Sequence, residues 1–211
     1  MGMRAALLTL ALLSTRAHAE PSDTTLVLVG AGMAIPDYVA GVSLHESSHA
    51  LAALLLGAHV DTLHVFPPGV DPQAHVFRFG WTYVHGLQSE RDTELFLLAP
   101  KFTDAILLGG FAALVFTSAW PSNKYGELAL TVAATGLWVD FAKDVVVVSP
   151  QDDVVRVLHM WQVNTIASRA IYAVLDVGLA LIVANGYERT FTHDSPAAAM
   201  PALVPLFRTA F

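Results

Sequence analysis

The 211-residue sequence contains no cysteine. That excludes disulfides, zinc knuckles, iron–sulfur clusters and thiol nucleophiles together, and it leaves His, Asp and Glu to carry metal and hydrolytic chemistry. Charge is the second scarcity: Asp, Glu, Lys and Arg make up 14% of the residues, against about 25% in a soluble domain. Lys and Arg number only 11 against 18 Asp and Glu, for a net charge of −7, and they form no run. A chain without a basic stripe has nothing to track a phosphate backbone, so nucleic acid is not an expected partner. No internal repeat is visible, and no polar linker separates two cores, so a single domain is expected.

What the sequence does have is apolar length. Hydrophobic residues make up 55% of it and mean hydropathy is +0.54, which excludes disorder and points to a polytopic membrane protein. At the N-terminus, Arg4 precedes the nine-residue apolar run Ala5 to Leu13, and Ala17-His18-Ala19 offers a small-x-small cleavage site before Glu20. Residues 1–19 therefore read as a signal peptide. The mature domain is expected over 20–190, with a flexible Pro/Ala-containing tail over 191–211.

Four apolar segments follow the signal region: Thr24 to Gly57, Phe102 to Trp120, Leu128 to Val148 and Ala170 to Gly186. Each is expected to span a bilayer as a helix, with Pro36 kinking the first and Gly57 ending it. Between the first two, HVDTLHVF and HVFRFGWTYVH flank a Pro/Gly/Asp spacer and predict a β-hairpin insertion over about 58–86. The fold class is thus an all-α membrane bundle of about four mature transmembrane helices with a small β-hairpin. Its expected home is the bacterial-type inner membrane. With the mature N-terminus outside, the loops at 58–101 and 149–169 would be cytoplasmic and hold Arg78, Arg91, Lys101, Arg156 and Arg169. The outer segments would hold Lys124, Arg189 and Arg208.

The sharpest local signal is His45-Glu46-Ser47-Ser48-His49. On a helix, residues i and i+4 share one face, so both imidazoles can grip one metal ion while the carboxylate between them reaches the bound water. With nine His and six Glu in the chain, chance alone gives roughly 0.01 such matches. A bland alternative is a polar cluster hydrogen-bonded inside the bundle, but three ionisable groups in an apolar span are costly without a function. The expected cofactor is Zn2+, held by His45 and His49, with Glu46 as general base.

A catalytic zinc needs a third protein ligand. The intramembrane carboxylates Asp37, Asp104, Asp140, Asp144 and Asp176 are the candidates. Asp140 and Asp144 lie four apart and share a helix face, either able to bind metal or to pair with Lys143. Asp176 is the runner-up, and Asp37 and Asp104 suit helix-terminal or interhelical contacts. His59, His64, His75 and His85 are read as simple polar residues of the hairpin. Phe77, Phe79, Trp81 and Tyr83 share one strand parity and are expected to pack on the bundle or the membrane interface.

The string His45 to Gly57 in a membrane helix, followed by strand-like sequence, resembles the site-2 protease family of intramembrane zinc metallopeptidases. Leu98-Ala99-Pro100-Lys101 is similar to a small-Pro stretch of that family. The resemblance covers residues 24–148. It implies a third ligand from an aspartate on a later helix, about 90 to 100 residues downstream; Asp140 lies 95 residues after His45. It also implies hydrolysis of peptide bonds in a membrane protein or peptide substrate presented as an extended strand. The sequence departs from the family at Ser48, where Gly is usual, and lacks the Leu-Asp-Gly string around the downstream aspartate. Two other classes fit the same residues: a catalytically inactive membrane metal-binding scaffold, and a cation transporter. The sequence is silent on oligomeric state.

Overall fold

A computed structural model describes residues 20–146, 152–163 and 166–192. The expected signal peptide, the tail beyond residue 192 and the side chain of Asp144 lie outside the described residues. The element order is α1 (Asp23–Leu55), β1 (His59–His64), β2 (Gly69–Val70), β3 (Phe77–Arg78), β4 (Trp81–His85), α2 (Glu90–Val115), α3 (Lys124–Val146), α4 (Asp153–Met160) and α5 (Ile166–Phe191). The chain is mostly helical with a small β insertion, as its apolar runs and turn-flanked β-rich segments predict.

The helix boundaries follow ordinary capping chemistry. Ser22 precedes α1 and its hydroxyl accepts from the Thr25 N–H at 3.3 Å, satisfying one orphan donor of the first turn. The helix runs 33 residues, about 50 Å at 1.5 Å per residue, and continues through Pro36. It stops where Gly57 takes up a φ of +77° and the Ala58 N–H reaches back to Ala53 O at 2.9 Å, the conformation that favours glycine. Ser89 caps α2 in the same way, accepting from the Asp92 N–H at 3.1 Å. That places the start of α2 at Glu90, a dozen residues before the apolar segment from Phe102.

Three helices, α1, α2 and α5, are long and apolar enough to cross a membrane. The fourth expected span is present as α3, but this helix is not among those three. Glu127 near its start and Asp140 and Lys143 near its end dilute its apolar length. Bulky apolar side chains point outward from the three qualifying helices, among them Leu28, Ile35, Ile106, Ile171 and Val174. The interior is built from α2, α3 and α5 around Leu108, Phe111, Val115, Trp120, Ala134 and Val183. Gly186 lets α5 approach closely, since a Cβ there would lie 2.7 Å from Phe111 Cζ and 2.9 Å from Thr131 Oγ1. Lys124 fastens the same C-terminal end of α5, donating to Arg189 O at 2.9 Å and Thr192 O at 2.8 Å, where a helix C-terminus favours a cation.

The insertion is a pair of two-stranded ribbons. β1 and β4 pair antiparallel from His59 opposite His85 to His64 opposite Trp81, with a bulge between Val60 and Thr62; β2 and β3 form a shorter ribbon beyond them. The aromatic parity breaks at Gly80: Phe77 and Phe79 stand exposed, while Trp81 and Tyr83 are half-buried, Trp81 stacking on His64 at 3.9 Å. Gly80 is also where the insertion meets α1. A Cβ there would fall 2.8 Å from Glu46 Cγ and Val42 Cγ1 and 2.9 Å from His64 O.

Candidate metal centre

His45 and His49 sit one turn apart on α1, with ring centroids 5.1 Å apart and rings nearly perpendicular. Each ring is anchored through Nδ1 by a different helix. His45 Nδ1 lies 2.9 Å from Asp140 Oδ2 on α3, and His49 Nδ1 lies 2.8 Å from Phe96 O on α2. A carboxylate and a carbonyl oxygen only accept, so both Nδ1 atoms are donors. In the neutral rings the lone pair then belongs to Nε2, a tautomer fixed by these bonds.

Both Nε2 atoms face Asp153, the first residue of α4. Its Oδ2 lies 3.1 Å from His49 Nε2 and 3.6 Å from His45 Nε2. The donor atoms of His45, His49 and Asp153 all fall within 4.8 Å of one another, and this set can hold a metal ion. Ligand atoms around a tetrahedral zinc lie ~3.3 Å apart, given Zn–N and Zn–O bonds of about 2.0–2.1 Å; the two Asp153 distances bracket that spacing. Two imidazole nitrogens and a carboxylate oxygen turned toward one point are held together by a proton on an imidazole or by a cation among them. Burial of Asp153 would raise its carboxyl, but the hydrogen bonds with His45 and His49 outweigh this and hold it well below the usual carboxylate range.

Asp140, the aspartate singled out by the family resemblance, adjoins the centre without belonging to this donor group. It touches His45 on the Nδ1 side, and its carboxylate is further bound by Lys101 Nζ at 3.1 Å and Lys143 Nζ at 2.6 Å. Lys101 is buried, donates also to the Asp140 carbonyl at 2.5 Å, and lies 3.7 Å from Asp104. Asp176 lies on α5, where its backbone carbonyl accepts from Trp138 Nε1 at 3.3 Å; it too is outside the donor group. The hairpin histidines also lie apart: His85 pairs with Asp61 at 2.6 Å and His64 donates to Pro67 O at 2.7 Å.

Glu46 is buried beside the two histidines. Its Oε2 accepts from Thr82 Oγ1 on β4 at 2.8 Å, so the insertion orients the carboxylate from across the gap that Gly80 leaves. Ser48 takes the other side of the helix, its hydroxyl 2.8 Å from Thr103 on α2. His45, Glu46 and His49 open onto one cavity of about 1560 Å3, bounded by α1, α3 and the β insertion, with Asp153 on its wall.

Asp153 lies in the stretch 149–169 that the sequence reading treats as a connecting loop. The signal for a helix there is Asp152 followed by Val154, Val155, Val157 and Leu158, an N-cap type ahead of helically spaced apolar residues. In the structure Asp152 is the N-cap of α4, and Val154, Val155 and Val157 are buried. No family model, curated protein or solved structure matches this chain.

Proposed function

We propose that the protein is a membrane-embedded zinc metallopeptidase, similar to the site-2 proteases, which hydrolyses peptide bonds of membrane-associated segments. The observation that carries this reading is the convergence of His45 Nε2, His49 Nε2 and an Asp153 oxygen beside a buried glutamate. In this reading the third ligand is Asp153, and Asp140 orients His45 through Nδ1, as carboxylates commonly do behind a metal-bound histidine. His45, His49 and Asp153 would hold the ion with three protein donors beside the cavity, the donor number of catalytic rather than structural zinc. When bound, the ion would supply Lewis acidity toward the carbonyl and lower the pKa of water toward ~7.

The chain's own residues do the rest. Glu46 takes a proton from the attacking water and returns it to the leaving nitrogen, while the Thr82 hydroxyl keeps its carboxylate turned to the cavity. Burial of Glu46 and His49 excludes bulk water from the reacting centre. Three helices long and apolar enough to cross a membrane support a location for this centre within the bilayer.

The test is elemental mass spectrometry of detergent-purified protein, with hydrolysis of a dye-labelled Leu/Ala peptide in parallel. About one zinc per chain is expected, lost in His49→Ala and in Asp153→Ala. Glu46→Gln is expected to keep zinc and lose cleavage. Zinc with no cleavage by the wild type would leave a metal-binding scaffold, and wild-type protein that takes up no added zinc would sink the reading.

A further inference from the structure

The cavity that holds the metal centre continues along α1 well past it. From His45 it follows the helix back through Gly41, Tyr38 and Asp37 to Gly30 and Leu26, facing Val132, Thr135 and Gly136 of α3. Along these helical walls, among the described residues, Asp37 is the one carboxylate between the apolar end and His45. It is seated in a notch: a Cβ on Gly136 would come within 3.1 Å of Asp37 Cγ, so α3 makes room for this side chain by having none of its own.

Asp37 makes no hydrogen bond or ion pair with any described residue. The neighbouring hydroxyl of Thr135 is committed elsewhere, donating to Thr131 O at 2.8 Å and lying 3.0 Å from the Tyr187 hydroxyl. Next to Asp37, the Tyr38 hydroxyl is buried without a partner, its ring edge-on to Phe79 at 5.5 Å. A carboxylate on an apolar helix is expensive, and such groups typically mark a ligand path. With the Thr135 hydroxyl committed to Thr131 and Tyr187, the Asp37 acceptor sites face the cavity. A single carboxylate is too few donors for a divalent cation. An ammonium or guanidinium group, which brings both the opposite charge and hydrogen-bond donors, fits it best.

Asp37 and His45 are eight residues apart on one helix, about 12 Å of rise. An extended peptide covers that distance in about three to four residues. Resting on the metallopeptidase reading for what occupies the cavity, we propose that Asp37 is a subsite for a basic side chain of the substrate, three to four residues from the bond that is cut. A lysine or arginine inside an apolar segment is poorly accommodated by lipid, so pairing with Asp37 would draw that segment, unwound, along α1 toward the metal centre.

The test uses dye-labelled peptides of Leu, Ala and Gly, about 20 residues long, each with one Lys at a scanned position. Binding is read by fluorescence anisotropy on Glu46→Gln protein, so that cleavage does not intervene. Lys-bearing peptides are expected to bind roughly tenfold tighter than the all-apolar host. Asp37→Asn should abolish the preference with zinc content unchanged, and Asp37→Lys should transfer it to peptides carrying Glu. With wild-type protein, cuts mapped by mass spectrometry should fall three to four residues from the Lys. No Lys preference, including no binding of either peptide, or a preference that survives Asp37→Asn, overturns the subsite. An Asp37-dependent preference in protein that binds no zinc supports the subsite and overturns only the metallopeptidase reading.

Discussion

Two aspartates flank His45, and their positions assign them unequal tasks. Asp140 lies on the Nδ1 side and Asp153 on the Nε2 side, so under the proposed zinc site removing one would disturb the orientation of a ligand while removing the other would delete a ligand. Asp140→Asn is expected to weaken zinc binding by about 10- to 100-fold, the usual effect behind a metal-bound histidine. Asp153→Asn is expected to weaken it further, to what a two-histidine site retains. Competition with a chromophoric chelator measures both, and equal losses would refute the division of labour. The histidines and glutamate were legible in the sequence because helical spacing alone puts i and i+4 on one face. The partner on the Nε2 side was not, because Asp153 is brought there by tertiary packing across 104 residues and belongs to a short helix with no long apolar run. Asp140 was legible as a neighbour of the site, but its distance along the chain carries no information on which ring nitrogen it meets.

Among the elements, the contact between α1 and the β insertion is the most exacting, because it passes through a glycine. In Gly80→Ala the new methyl meets Glu46 Cγ, Val42 Cγ1 and, least movable of the three, the backbone oxygen of His64. The variant is expected to lose ~1–3 kcal/mol of stability, read from thermal unfolding in detergent, and to lose peptide cleavage with zinc retained as Thr82 moves off Glu46. An unchanged melting temperature would show that the ribbon does not seat on α1 in this way. That the segment forms strands followed from its β-branched and aromatic content. Its register did not, because the bulge at Val60/Thr62 and the interruption at Gly80 shift which residues face the helix, and alternation alone cannot foresee a shift. Helix ends were legible at Gly57, where turn chemistry is local, and less so at Glu90, where a polar first turn precedes the apolar segment.

At the scale of the molecule, apolar residues on α1, α2 and α5 turn outward, the inverse of a water-soluble bundle. The absence of cysteine makes this directly testable, since any introduced thiol reports alone. Cysteines at Leu28, Ile106 and Val174, each more than two-thirds exposed, are expected to resist a charged maleimide in membranes and to react once detergent is added. A cysteine at Asp61 on the insertion should react in both. Fast labelling of all four in membranes would refute the lipid-facing assignment. The α3 helix, expected from the sequence as a fourth span, forms as a helix but is not among the three long and apolar enough to cross a membrane, because charges such as Asp140 and Lys143 interrupt its apolar length and serve the site rather than the solvent. A consequence of where Asp153 sits concerns the order in which the protein matures. Two histidines arrive early in the chain on a long membrane helix, while the carboxylate facing them arrives on a short helix made after α1, α2 and α3. Metal captured by all three residues would act as a clasp that closes only on a completed fold, and a half-made chain would offer it two donors at most.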